Sequence, residues 1–170
     1  MGYTTKLVAQ LMRDLGSIPA PMNSFILNLG LQTLHLRMAQ HCSNAQRVAE
    51  FLQADPRVAW VHYSGLPGDA YHELAEKYLP GGSCGVIAFG LTGDRETAIR
   101  FMDSLDMINI VTHVADARTC VLHPASHTHR QLSDEQLREA GVAPDLIRLS
   151  VGIEDCDDIL DDIRQALDKI

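Results

Sequence analysis

The pattern best suited to chemistry is Asp145-Leu-Ile-Arg-Leu-Ser-Val-Gly-Ile-Glu-Asp155, where the cation Arg148 stands inside an apolar run that reads as a buried strand. A guanidinium is always charged and offers a planar fork of donors matched to a carboxylate. Buried without an anion it would cost several kcal/mol, about what a broken buried ion pair costs. Two partners satisfy it on residues alone: an internal Asp or Glu, or the carboxylate of a small ligand.

A second unusual stretch is Thr112-His-Val-Ala-Asp-Ala-Arg118, followed by His123-Pro-Ala-Ser-His-Thr-His-Arg130. Three histidines at 123, 127 and 129 suggest a metal, yet no Cys or acid completes a site at a familiar spacing. No metal ligand is assigned, and the stretch is expected to be a loop built around Pro124. Phosphate-binding Gly loops, dinucleotide fingerprints and nucleophile elbows are missing from the sequence. Lys6, Lys77 and Lys169 are the available Schiff-base amines, and all fall near a terminus or on a helix surface, where solvation keeps an amine a poor nucleophile. No catalytic and no cofactor-binding residue is therefore assigned. The residues describe an anion-binding part without a chemical engine.

The elements that must carry these groups follow from periodicity. Leu7, Val8, Leu11, Met12 and Leu15 make a short amphipathic helix stopped by Gly16, and Ser17-Ile-Pro-Ala-Pro21 is a connector. From Asn23 to Ala54 the pattern stays helical, which suggests a helix long enough to span two bodies. Strands are expected over 57–63, with Val58, Trp60 and His62 on one face, then over 84–90, 107–111, 119–122 and 146–151. Helices fall between them: Asp69 caps one, another turns Ala98, Ile99, Met102 and Leu105 inward, and Ser133 with Gln136 forms a capping box. In the last, Ile159, Leu160, Ile163 and Leu167 are the buried stripe while the acids face water. The sum is an α/β chain, an α+β sandwich of four or five strands with helices mainly on one face. Its parts are an arm and connector over 1–21, a long helix over 22–54 and a domain over 55–170.

Composition limits the partners. A net charge of −8, with 14 Lys and Arg among 22 acids, argues against nucleic acid. No signal-peptide pattern and no bilayer-length apolar run are seen, so the expectation is no membrane and a cytoplasmic protein. Cys42, Cys84, Cys120 and Cys156 lie far apart and are expected to be free thiols.

The same residues resemble a family. Arg148-Leu-Ser-Val-Gly-Ile-Glu-Asp155, with the Asp-Asp-Ile-Leu-Asp-Asp-Ile-Arg that follows, is similar to the C-terminal signature of the pyridoxal-phosphate enzymes of cysteine and methionine metabolism. Asp116-Ala-Arg-Thr119, His123-Pro-Ala-Ser126, Thr128-His129 and Gly141-Val-Ala-Pro-Asp-Leu-Ile-Arg148 resemble the O-acetylhomoserine sulfhydrylase branch. The likeness continues through Thr33-Leu-His-Leu-Arg-Met38, Asn44-Ala45, Tyr63-Ser-Gly-Leu-Pro67 and Tyr71-His-Glu-Leu-Ala75.

The resemblance implies the small C-terminal domain of the fold type I, aspartate aminotransferase-like architecture, with residues 22–54 as the interdomain helix. It assigns Arg148 to the α-carboxylate of an amino-acid substrate, with His113, Val114 and Thr128 beside it. It implies pyridoxal 5'-phosphate as the cofactor of the complete enzyme, and γ-replacement of acetate by sulfide or a thiol to give homocysteine. The cofactor lysine would belong to an N-terminal large domain, so this chain is expected to be incomplete alone and to work in a homo-oligomer. Where that branch reads Asn-Val-Gly-Asp, this chain reads His113-Val-Ala-Asp116. The alternative is a stand-alone, non-catalytic amino-acid-binding or interaction module. Apolar side chains of the arm and long helix are expected to be exposed or to drive self-association.

Overall fold

A computed structural model describes residues 2–170, and the chain divides into two compact units, Met1–His35 and Leu36–Ile170. In the first, α1 (Tyr3–Lys6), a π-helical turn (Leu7–Met12) and α2 (Arg13–Leu15) run on until Gly16 adopts φ 66°, the left-handed stop its missing Cβ permits. Pro21 then opens α3 (Pro21–Gln32), where a missing N–H costs nothing. Phe25, Leu27, Leu29 and Leu31 are each more than half exposed, as the apolar pattern led us to expect of this region. Thr33, at φ −108° and ψ 5°, leaves helical geometry between α3 and α4 (Leu34–Ala54), so the expected single helix is two.

The second unit holds a five-stranded sheet in the order β1-β2-β5-β4-β3: β1 (Val58–His62), β2 (Val86–Leu91), β3 (Asn109–Ile110), β4 (Cys120–Leu122) and β5 (Leu146–Ser150). All pairings are antiparallel except β3 with β4. Three helices share one core with one sheet face: Val48 and Leu52 of α4, Phe101 of α6 (Arg95–Asp103), and Ile159 and Ile163 of α8 (Cys156–Leu167) meet Ile87, Phe89, Ile147 and Leu149. Phe89 and Phe101 meet edge to face at 5.9 Å, a favoured aromatic geometry. Two shorter helices, α5 (His72–Tyr78) and α7 (Asp134–Glu139), complete the unit, α7 with the expected capping box at Ser133 and Gln136. Among the described residues no helix is long and apolar enough to cross a membrane.

Four sequence expectations are corrected. Val58 packs the core together with Val61, because the β1–β2 register shifts between Val58 and Trp60 and leaves Ala59 as an extra, exposed residue. One extra residue turns every side chain before it to the other face. The inward stripe of α6 is Ala98, Phe101 and Met102, with Ile99 and Leu105 only half buried. Asp69 receives the Tyr71 N–H in the turn before α5 rather than capping the helix. Asp162 does not face water: it is 6% exposed and accepts the backbone N–H groups of Asp106, Met107 and Ile108 at 2.8, 3.0 and 2.8 Å. The carboxylate serves as the partner of a turn whose donors the sheet does not reach.

Candidate functional site

Arg148 sits in the middle of β5, paired with Ala88 on β2 and Leu122 on β4. Its neighbours Ile147 and Leu149 are 0% and 1% exposed in the core, so alternation places Arg148 on the opposite sheet face. The side chain is half buried. Its Nη2 donates to the Thr112 carbonyl at 3.0 Å and the His113 carbonyl at 3.3 Å. Nε is buried and meets no hydrogen-bond partner.

Among the described residues no carboxylate pairs with this guanidinium, because the acids of the neighbouring motifs are engaged elsewhere. Asp116 accepts the Arg118 N–H at 3.0 Å and lies 3.4 Å from His113 Nδ1, and the backbone bond first, then His113 and Arg118, hold its carboxyl below the usual range. Glu154 takes the Thr119 N–H at 2.5 Å and the Thr119 hydroxyl at 2.9 Å. Asp145 accepts from Trp60 Nε1 at 3.0 Å.

The loop facing Arg148 is fastened from several sides. Ala115 N–H donates to Ser150 Oγ at 3.2 Å, and Cys120 Sγ lies 3.3 Å from the His113 carbonyl. Ala115 has φ 60°, a left-handed conformation that costs an L residue about 1–2 kcal/mol. A glycine would adopt this conformation without that cost. The glycine of the Arg148 motif has a packing reason. A Cβ on Gly152 would meet the Ala117 carbonyl and Thr119 N at 2.5 Å, where its own N–H reaches Thr119 Oγ1 at 2.8 Å.

Of the other candidate residues, His113 joins Arg148 through its carbonyl while its ring stays exposed, and Val114, next to it, is 55% exposed. Thr128 is exposed, with its hydroxyl 2.9 Å from His129 Nδ1. The loop histidines have local partners. His123 is fully buried, with Nε2 2.8 Å from the Pro144 carbonyl and Nδ1 2.7 Å from the Ser126 hydroxyl, and His127 Nδ1 is 3.0 Å from the His123 carbonyl. Among the described residues no three His, Cys, Asp or Glu groups gather as a metal cluster. Sequence reasoning missed Ser150, and it missed His41 and Asn44 of α4, which reach the strand end at Val151, Gly152 and Glu154. Their signal was faint, because α4 carries many polar residues and nothing local marks these two as the ones that turn inward.

Residues 3–168 match the family of Cys/Met metabolism PLP-dependent enzymes. This chain belongs to that family. Relatives include an O-acetyl-L-homoserine sulfhydrylase of Thermus thermophilus, 40% identical over 98% of this chain and 40% of its own length, and a homocysteine synthase of Schizosaccharomyces pombe, 42% identical over 99% of this chain and 39% of its own. Among solved structures, an O-acetylhomoserine (thiol)-lyase of Campylobacter jejuni, holding N'-pyridoxyl-lysine-5'-monophosphate, superposes with TM-score 0.88 at 37% identity, covering 97% of this chain and 39% of that one. An O-acetylhomoserine sulfhydrylase of Wolinella succinogenes gives TM-score 0.82 at 30% identity, covering 96% and 43%. The chain thus spans about 40% of the length of the curated family members it matches.

The family's cofactor is anchored by a lysine, and the lysines here do not fit that role. Lys6, Lys77 and Lys169 are all exposed, Lys77 with its amine 5.0 Å from the Tyr78 ring and Lys169 with its amine 3.4 Å from the Ser104 carbonyl. A Schiff-base lysine works from a desolvated pocket.

Proposed function

We propose that this chain is the substrate-carboxylate-binding part of a pyridoxal-phosphate-dependent O-acetylhomoserine sulfhydrylase, the reaction in which sulfide or a thiol replaces acetate at the γ-carbon to give homocysteine or its thioether. One observation carries the reading: Arg148 is held by two backbone carbonyls, with a buried Nε still unbonded and, among the described residues, no internal carboxylate paired with it. Carbonyl partners orient a guanidinium without neutralising it, so its charge remains for a ligand anion. The names of the relatives supply the rest of the chemistry.

In this reading residues 1–21 are an arm, 22–54 an interdomain segment and 55–170 the small domain. His113, Val114 and Thr128 border the amino acid. The cofactor lysine is supplied by a large domain outside these residues, the working enzyme is a homo-oligomer, and the setting is the cytoplasm. This chain alone is inactive.

The test is a pair of titrations. L-2-Aminobutyrate, which keeps the α-carboxylate and lacks the leaving group, should bind the chain and lose binding on Arg148→Lys. Pyridoxal 5'-phosphate should give no internal-aldimine absorbance with this chain and should give it when a lysine-bearing large domain is added. Tight amino-acid binding with no absorbance under either condition would favour a binding module that keeps the fold without the reaction.

A further inference from the structure

The register of the sheet sets three residues in one row on the face opposite the core. His62 of β1 pairs with Ala88 of β2, and Ala88 pairs with Arg148 of β5. Directly opposed residues of neighbouring antiparallel strands turn their side chains to the same face. His62 and Arg148 therefore stand two strand spacings apart, roughly 10 Å, with the single methyl of Ala88 between them. The row is bordered on both sides. Val86 lies two residues away along β2 in one direction and Gly90 in the other. The Trp60 indole lies over Gly90, where an added Cβ would collide with its ring, and donates to Asp145 at 3.0 Å. The result is a shallow groove floored by Ala88, with Arg148 at one end and His62 at the other.

The His62 ring is open to a ligand, since its side chain is 72% exposed. It is also steered. Its centroid is 5.0 Å from that of Trp60, and its Nδ1 is 3.8 Å from Asp69 Oδ2. Asp69 is nearly buried and fixed in turn by the Tyr71 N–H at 2.9 Å. A pair so long and so exposed at one end adds little stability. Its effect is to bias where the imidazole points, leaving the rest of the ring to whatever enters the groove.

We propose that this groove takes the side chain of the substrate and that His62 is a specificity-determining residue, its ring receiving the planar acyl ester at the far end. The proposal rests on the proposed function, which supplies the O-acylated amino acid and its carboxylate contact at Arg148. Length supports it. An extended chain covers roughly 3.5 Å in three bonds, so an acyl carbon five bonds from the α-carboxylate carbon lies roughly 6 Å away. A ring contact of roughly 4 Å beyond that carbon completes the span of the row. Shape supports it too, because the methylenes between carboxylate and ester meet the Ala88 methyl and the apolar border of Val86 and Trp60. A side chain that stops at the γ-carbon keeps the Arg148 contact and falls short of the ring.

Trp60 is the only tryptophan of the chain and borders the groove, so its fluorescence reports occupancy. The 170-residue chain is titrated with O-acetyl-L-homoserine and with L-2-aminobutyrate, and calorimetry gives both affinities. The ester should change Trp60 emission saturably and bind about tenfold tighter than aminobutyrate, the scale of an aromatic contact. That ratio should fall about threefold or more in His62→Ala and survive in His62→Phe, which keeps a ring. Both substitutions fall on an exposed side chain outside the core, and thermal melts check that the fold is kept. Equal affinities in the unaltered chain, a ratio unmoved by His62→Ala, a ratio lost in His62→Phe, or emission that ignores the ester overturns the proposal. If any of those results comes with intact aminobutyrate binding, the proposed function stands and the groove alone falls. Absence of binding by both amino acids removes the Arg148 reading and the groove with it.

Discussion

Glu154 commits both carboxylate oxygens to Thr119, one to its N–H at 2.5 Å and one to its hydroxyl at 2.9 Å. One acid of the Arg148 motif is therefore engaged in fastening the start of β4 to the turn after β5, and among the described residues no carboxylate pairs with the guanidinium, which Thr112 and His113 hold by their carbonyls. This division of labour underlies the first prediction. Arg148→Lys should weaken amino-acid binding by about 1.5–3 kcal/mol, the range for a charge-assisted bond, while the urea midpoint barely moves. Calorimetric titration alongside urea unfolding separates the two effects. A large loss of stability would mean that the cation is structural after all.

Asp162 tests the opposite case, a charge that belongs to the fold. Asp162→Ala strands three backbone donors in the turn before β3 and should destabilise the chain by about 3 kcal/mol. Hydrogen exchange at the amides of residues 106–108 should accelerate more than exchange elsewhere. Unchanged protection there would show that other acceptors take over.

His123 makes stability depend on mild acid. Burial first, with Arg95 and His127 adding repulsion, pushes its pKa below the ordinary 6.5, only partly countered by the Pro144 carbonyl and Asp145. The unfolded chain then binds the proton more readily than the folded one. The stabilisation is complete above pH 6.5 and is lost as pH falls from there toward the lowered folded value. Thermal melts across that interval should fall with pH, and His123→Gln should be less stable at neutral pH but flatter in its dependence.

Ala115 stores strain at φ 60°. Ala115→Gly should relieve it and raise stability by about 0.5–1 kcal/mol, after allowing for the extra entropy of glycine in the unfolded chain. Chemical denaturation measures the sign. A loss of stability would show that the Cβ contributes packing worth more than the backbone cost.

Exposed apolar surface on α3 should govern association. Phe25→Glu with Leu29→Lys should shift sedimentation toward a smaller species and leave the melting temperature within a few degrees, because both side chains are more than half exposed. Unchanged sedimentation would place any contact elsewhere on the chain.

Much of this was legible along the chain. Strand and helix periods, the Ser133–Gln136 box, the Gly16 stop and the isolation of one cation in an apolar strand are local patterns, carried by side-chain spacing and turn chemistry that a linear reading can count. The motif likeness added the family, because that information is also linear. Tertiary structure decided the rest. Which acid meets which donor depends on strands far apart in sequence: Glu154 accepts from Thr119, and Asp162 turned inward to residues 106–108 although its helix reads as an acidic outer face. A single bulged residue, Ala59, reassigned Val58 to the core. The physical reason is common to all three: hydrogen-bond demand and register are settled by the partner that arrives from another segment, and composition or spacing within one segment does not encode that arrival.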